Sequence, residues 1–210
     1  MYDKLSYKTS MEEVINKNLK DFSKVTDRIQ TLLIFLIALL VPTFLGGLIT
    51  KVFGAQSIVT QNSQLIVGSI VNTALVITAI NLKGWTKILG VVTMPSISTI
   101  LSGYVFKSAS VYMTYMIPAI WIGNFALVYA YKLILMSKGK NYFLAGVVGV
   151  ITKVLIIGAG FMALNLFNVF PEKLVTTLQT AMTTTQLITA TVGVIIASVI
   201  YAIEKRTIKN

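Results

Sequence analysis

Long apolar stretches separated by short polar connections make up most of the chain. Six of them cover residues 31–50, 64–82, 86–105, 111–131, 142–168 and 177–202. Each is long enough to cross a hydrocarbon core that requires roughly 20 helical residues. The pattern predicts an all-α integral membrane protein with six transmembrane helices in one domain, residues 31–203.

The third apolar stretch is the least hydrophobic of the six. It carries hydroxyl side chains around Pro95, at Thr93, Ser96, Ser98, Thr99 and Ser102. Such a segment is tolerated in a membrane only where it packs against protein or lines a cavity. We therefore expect residues 86–105 to face the interior of the bundle.

Residues 1–30, here called the leader, are polar but periodic. Ser10-Met11-Glu12-Glu13 fits a helical capping box, and a single apolar helical face follows, formed by Met11, Val14, Ile15, Leu19, Phe22, Val25 and Ile29. One interpretation is a short amphipathic helix on the membrane surface, with Lys17, Lys20 and Lys24 toward lipid headgroups. The other is a solvated helical leader.

The basic residues alternate in number from one connection to the next. The leader, the second and fourth loops and the tail (residues 204–210) hold 14 Lys and Arg, whereas the other three loops hold one each, at Lys51, Lys107 and Lys173. Because cytoplasmic segments collect basic residues, both termini are predicted to be cytoplasmic. The same rule accounts for the net charge of +11 without nucleic acid as a partner.

The composition narrows the chemistry that the chain can perform. It has neither His nor Cys, its hydrophobic fraction is 55%, and no acidic residue lies between Asp27 and Glu172. There is also no GxxxxGK[ST] loop for nucleotide phosphates. Without a carboxylate, imidazole or thiol in the bilayer, we expect neither a metal or cofactor site nor enzymatic activity.

Lys153 is the only charged residue deep inside an apolar stretch. It lies about 16 Å along the helix axis from the cytoplasmic edge, where an ammonium costs roughly 3 kcal/mol on insertion scales. Gly146, Gly149 and Gly160 share its side of the helix, and such small residues mark helix–helix contact. Lys153 is therefore predicted to point into the bundle. It either faces a ligand, snorkels, or caps carbonyls of a broken neighbouring helix.

Two further stretches carry polar candidates. In the last one, a polar outer half that includes Thr183 and Gln186 precedes the small residues Ala190, Gly193 and Ala197. The polar outer half indicates either a polar cavity or interhelical hydrogen bonds. In the fourth one, Trp121 and Asn124 share a stripe that would suit a planar heterocycle, although Trp121 could equally be a core aromatic.

The third, fourth and fifth stretches resemble the S components of energy-coupling factor (ECF) transporters. The similar segments are GVVTMPSISTILSG at 90–103, IPAIWIGNFALVY at 117–129 and AGVVGVITK at 145–153. The resemblance covers about residues 64–168. The first stretch departs from the family, since the usual pair of alanines four apart is replaced by Ala38 and Pro42.

The resemblance implies a function. S components bind a vitamin, a vitamin precursor or a similar micronutrient from outside a prokaryotic cell and dock on a transmembrane coupling subunit with two cytoplasmic ATPases. Their ligand lies on the outer side, under the loop between the first two spans. By position, this points to the 51–63 loop and to Trp121, Asn124, Lys153, Asn165 and Gln186 as substrate-binding residues.

Two other functions remain open from the sequence. One is a self-contained secondary transporter or channel, which would need a coupling site; for sodium, oxygens around Pro95 are available. The other is a non-transporting membrane scaffold that uses the leader as its partner surface.

Overall fold

A computed structural model describes residues 10–19, 21, 23–103, 106 and 109–209. The remaining residues include 104–105, 210 and five on which the sequence predictions partly depend: Lys4, Lys8, Lys20, Phe22 and Lys107. Within the described residues, the regular structure is helical: α1 Met11–Ile15, α2 Lys24–Leu40, α3 Gly46–Phe53, α4 Ile58–Gln61, α5 Ser63–Asn81, α6 Trp85–Ser102, α7 Ser110–Tyr131, α8 Tyr142–Leu166, α9 Glu172–Met182 and α10 Thr184–Lys209.

Five helical stretches are long and apolar enough to cross a membrane. They are Lys24–Phe53, Ser63–Asn81, Ser110–Ser137, Tyr142–Leu166 and Glu172–Thr207. The chain is thus an all-helical, multi-pass membrane protein, as predicted. Leucine, isoleucine, valine and phenylalanine side chains of these stretches remain exposed, as a lipid-facing surface requires.

The first stretch begins earlier than expected, at Lys24 rather than residue 31. It is interrupted by a π-helical turn, Val41–Leu45, that contains the buried Pro42. Proline has no N–H and its ring crowds the preceding turn, so a π-turn absorbs the disruption without ending the helix. Ala38 and Gly46, the small residues of this stretch, are buried within the bundle.

The third apolar segment forms α6, a helix of 18 residues. Its serines and threonines lower its hydropathy, which explains why it is not among the five most apolar stretches. Ser96, Ser98 and Thr99 are buried, as expected, whereas Thr93 and Ser102 are half-buried. Ser98 Oγ donates to the Leu39 carbonyl at 2.5 Å, and Ser102 Oγ donates to the Pro42 carbonyl at 3.3 Å. These bonds attach α6 to the first helical stretch.

Two pairs of helices pack most extensively, α5 with α10 and α7 with α8. Small residues permit both contacts. A Cβ built on Gly193 of α10 would lie 2.6 Å from Asn72 Cβ, and one built on Gly160 of α8 would lie 2.5 Å from Ala119 Cβ. The predicted small-residue stripes on these helices are therefore confirmed as packing surfaces.

The last predicted span is divided. The helix ends at Met182 and restarts at Thr184, with Thr183 between them at φ −119° and ψ −83°. The separate helix α9 contacts α8 and α10 at the end of the bundle formed by residues 54–62 and 167–171, here called the loop end. The opposite end, formed by residues 10–19, 82–84 and 138–141, is called the leader end.

The leader does not form the single amphipathic helix that its periodicity predicts, because its described residues 16–19 and 21 are not helical. Its helix α1 has only five residues, begins with Ser10 Oγ accepting from the Glu13 N–H, and stops at Ile15. Val14 and Ile15 are fully buried against the bundle. Protein therefore covers Val14 and Ile15, whereas Met11, Val25 and Ile29 of the same predicted face remain exposed.

Hydrogen bonds and an ion pair fasten the leader to the bundle. The Leu19 N–H donates to the Ile80 carbonyl at 2.8 Å. The fully buried Lys132 ammonium donates to the carbonyls of Lys17 and Leu82. At the exposed edge, Lys83 Nζ lies 2.6 Å from Asp21 Oδ1, and this hydrogen bond and ion pair hold the pKa of the Asp21 carboxyl below its usual range.

Replacing Lys132 with Met tests the leader attachment. The variant loses two charge-assisted hydrogen bonds and leaves two carbonyls without this donor, each bond being worth about 1.5–3 kcal/mol. We expect the unfolding temperature in detergent to fall by about 5 °C or more. We also expect limited trypsin digestion at Lys17 to accelerate. The exposed Lys138→Met is the matched control, and equal behaviour of the two variants would contradict the attachment.

Replacing Gly193 with Ala tests the α5–α10 contact. The added methyl would meet Asn72 Cβ at 2.6 Å and the Thr73 nitrogen at 2.8 Å, so a helix must shift. We expect a loss of about 2 kcal/mol in the free energy of unfolding. Gly158→Ala is the control, because its methyl meets Thr183 Cγ2 at an ordinary 3.5 Å. Destabilisation by both variants, or by neither, would contradict this packing.

Candidate functional site

A cavity whose mainly apolar lining carries several polar side chains lies inside the bundle, surrounded by α5, α6, α7, α8 and α10. It offers about 70 Å³ to the centres of water-sized spheres. One water requires only about 10–15 Å³ by that measure, so the cavity has room for several waters or for the polar head of a larger solute. Its polar lining consists of Gln64, Asn72, Ser96, Thr99, Asn124, Lys153 and Gln186.

Lys153 is the only charged residue among the described residues that line the cavity. It lies near the middle of α8 and is 2% exposed, which confirms that it points into the bundle. Gly149 and Gly146, one and two turns earlier, contact Leu127 and Tyr131 of α7 and bring the lysine's helix close to its neighbour. Snorkelling to the membrane surface is therefore excluded by the position of the side chain.

The partner of Lys153 is Asn72. Lys153 Nζ donates to Asn72 Oδ1 at 2.5 Å. Asn72 Nδ2 donates in turn to the Gly68 carbonyl at 2.8 Å and to Thr189 Oγ1 at 3.2 Å. Because the amide nitrogen is engaged on α5 and α10, its oxygen is directed at the ammonium.

Asn72 was not predicted from the sequence as a site residue. An amide in an apolar stretch is usually an interhelical hydrogen-bonding group, and nothing in the spacing distinguishes it. The available signal was indirect: a buried ammonium must have an acceptor, and Asn72 is the amide in the middle of the second apolar stretch.

The cavity is electropositive, and some of its buried polar groups lack hydrogen-bond partners in the described chain. An ammonium has three donors, and the described chain supplies one hydrogen-bond acceptor, which is neutral. Ser96 Oγ, on another wall of the cavity, is buried and has no hydrogen-bond partner among the described residues. A buried polar group without a partner costs free energy, so both groups favour a solute that accepts their hydrogen bonds.

Three of the six predicted site residues come together in this cavity: Asn124, Lys153 and Gln186. Asn124 is 3% exposed, and its Nδ2 donates to the Val92 carbonyl at 3.2 Å. Val92 lies in the turn of α6 before Pro95, where the helix lacks one N–H donor. Asn124 therefore also joins α7 to α6.

The other three predicted residues lie elsewhere. Trp121 lines a separate groove with Trp85 and Phe125 on the other side of α6 and α7, and its Nε1 is buried without a partner in the described chain. Asn165 lies in the last turn of α8. Thr183 lies at the break before α10, and its Oγ1 donates a hydrogen bond to the Gln179 carbonyl at 2.7 Å. Trp121 is thus not placed to stack on a solute held by Lys153.

A larger hollow of about 690 Å³, here called the vestibule, lies at the loop end. It shares Gln64 and Phe106 with the cavity, so the two are adjacent. Uncharged polar groups line much of it: Gln61, Asn62, Thr176, Thr177, Thr180, Thr184 and Thr185. None of its described lining residues is charged, so a solute passing inward meets Lys153 as its first charge.

The chain matches no protein-family model, no curated protein and no solved structure.

A double-mutant cycle on Asn72 and Lys153 tests whether they form one unit. Asn72→Leu leaves the ammonium without its neutral acceptor, and we expect a loss of about 3 kcal/mol in the free energy of unfolding. Lys153→Met leaves only an amide oxygen unpaired, which costs about 1–3 kcal/mol. The double variant should be less destabilised than the sum of the two by at least about 1 kcal/mol. Additive losses in denaturant unfolding would contradict the pairing.

Proposed function

We propose that this chain is the membrane-embedded, high-affinity substrate-binding subunit of an ATP-driven micronutrient uptake system, similar to the S component of an ECF transporter. A separate transmembrane coupling subunit and two cytoplasmic ATPases would supply the energy. The observation that carries the proposal is the buried Lys153 ammonium in a cavity that adjoins an uncharged vestibule. This arrangement suits the capture of a solute from one side of the membrane.

A six-span topology with both termini cytoplasmic is part of the proposal. The 18 residues of α6 span about 27 Å, close to the hydrocarbon thickness of about 30 Å. Two contacts support an even number of crossings: the leader packs beside Ile80, and Asn81 Nδ2 donates to Glu204 Oε1 at 2.8 Å near the C-terminus. Leu19 and Glu204 thus both lie at the leader end, where the basic residues are concentrated. The vestibule would then face outside a prokaryotic cell.

The chemistry of the cavity restricts the substrate. A cation would be repelled by Lys153 and would find no carboxylate among the described lining residues. A carboxylate or phosphate would accept from the Lys153 ammonium and the free Ser96 hydroxyl. We infer a small anionic or strongly hydrogen-bond-accepting micronutrient, whose polar head enters the cavity and whose remainder occupies the vestibule.

A secondary transporter is the alternative that one observation favours. Thr43 Oγ1 and Ser98 Oγ meet each other, and both donate to the Leu39 carbonyl beside the π-turn. Such a group of oxygens is the kind that binds sodium in broken helices. Gradient-driven accumulation by the purified chain alone in liposomes would favour this alternative, whereas a requirement for ATPase subunits favours the binding subunit.

Mass spectrometry of small molecules retained by the purified protein tests the proposal. We expect the wild type to carry a stoichiometric anionic solute and Lys153→Met to lose it, with affinity for the identified solute reduced at least tenfold. Lys173→Met is the matched control for charge and should retain binding. Trp121→Phe should also bind within twofold of the wild type, because Trp121 lies outside the cavity. Undiminished binding by Lys153→Met would contradict the assignment.

A further inference from the structure

A second groove lies between α2 and α6 at the leader end, on the outer surface of the bundle. It offers about 250 Å³ and is lined by Arg28, Thr31, Leu32, Phe35 and Lys87. Arg28, Thr31 and Phe35 follow one another at intervals of three and four residues, so they share one face of α2. Charged groups occupy one end of the groove and apolar groups the other.

The charged end has an excess of cations. Lys87 Nζ pairs with Asp27 Oδ2, which neutralises both and joins α6 to α2. Arg28 is exposed and has no ion-pair partner in the described chain, and Lys24 lies one turn before it on the same helix face. A planar guanidinium that is free to make two parallel hydrogen bonds is well suited to a phosphate.

The apolar end of the groove is a built surface. Leu32 is 58% exposed, and the Phe35 ring packs over Gly90 of α6, where a Cβ would lie 3.6 Å from the ring. Beside Leu32 the groove continues as an open apolar channel. From Arg28 to Phe35 the channel runs for about 10 Å along the helix.

The groove lies at the level of the membrane boundary. Trp85, at the start of α6, is 37% exposed and stacks on Phe125 with 5.7 Å between ring centroids. Exposed tryptophans concentrate where headgroups meet hydrocarbon. The uninterrupted apolar run of α2 begins one turn after Arg28, so the guanidinium is at headgroup depth and Phe35 at acyl-chain depth.

We propose that this groove binds an anionic phospholipid, with the phosphate on Arg28 and Lys24 and one acyl chain along Leu32 and Phe35. Basic pockets between membrane helices recognise lipid headgroups through this combination of charge and apolar surface. The site does not depend on the transport function, because it requires only that the chain be in a bilayer. A lipid held there also covers the junction between α2 and α6.

Native mass spectrometry of the purified full-length chain, mixed with equal amounts of phosphatidylglycerol and phosphatidylcholine, tests the site. We expect at least fivefold preferential retention of phosphatidylglycerol by the wild type. Arg28→Gln should reduce this preference to less than twofold. Lys140→Gln removes the same charge from an exposed loop position and should leave the preference unchanged. Equal retention of the two lipids by the wild type, or equal effects of the two substitutions, would overturn the proposal.

A second variant separates a lipid from a soluble anion. Leu32→Gln keeps every charge but makes the acyl channel polar, and because Leu32 is exposed the fold should tolerate it. We expect it to lose at least threefold of the phosphatidylglycerol retention. Unchanged retention, or displacement of phosphatidylglycerol by an equal concentration of inorganic phosphate, would show that the groove recognises a phosphate alone and would overturn the lipid assignment.

Discussion

A buried ammonium must be given hydrogen-bond acceptors, and the centre of this bundle is organised around that requirement. Lys153 is 2% exposed, and the acceptor that the described chain provides is the oxygen of one amide, on Asn72. That amide is oriented because its nitrogen is bonded to Gly68 and Thr189. Asn72 can be so close to α10 because Gly193 has no side chain. The position of Lys153 on α8 therefore depends on Asn72 of α5, and the position of Asn72 depends on Gly193 of α10.

The same requirement leaves chemistry available for a solute. A single neutral acceptor does not saturate three ammonium donors, and the Ser96 hydroxyl on another wall of the cavity is unpaired within the described part of the chain. In a site built only for stability, these groups would be paired with a carboxylate or replaced by apolar residues, which is often no less stable. Their retention around a cavity that adjoins a wide, uncharged vestibule is the physical basis of the proposed substrate-binding function.

The two ends of the bundle are built differently. At the leader end, α1 is buried against the helices, and Lys132 donates to carbonyls from two separate segments. At the loop end, the vestibule lies between the start of α5 on one side and α9 and α10 on the other, next to the break at Thr183. The vestibule thus lies at the end of the bundle that holds few basic residues. This polarity matches a subunit that receives a solute on one side and meets its energy-supplying partners on the other.

Hydropathy and small-residue spacing predicted a large part of the fold. The apolar stretches are helices, the glycines of α8 and α10 are packing contacts, and Lys153 points inward. The leader was misassigned because Val14 and Ile15 form the same apolar face whether lipid or protein covers it. Hydropathy does not predict the break at Thr183 or the π-turn at Pro42, because both depend on backbone geometry. Asn72 and Trp121 show the same limit at the site, since periodicity assigns a residue to a face but not to the neighbour that the face meets.

Thiol modification at Gln64 tests most directly whether Lys153 makes a solute-accessible, electropositive site. The chain has no cysteine, so Gln64→Cys provides a single reporter where the cavity and the vestibule adjoin. The measured quantity is the ratio of its reaction rates with negatively and positively charged methanethiosulfonates, each normalised to the rate with a free thiol. We predict a ratio of at least about three, falling to about one when Lys153→Met is added. No reaction with either reagent, or a ratio that Lys153→Met leaves unchanged, would contradict the account.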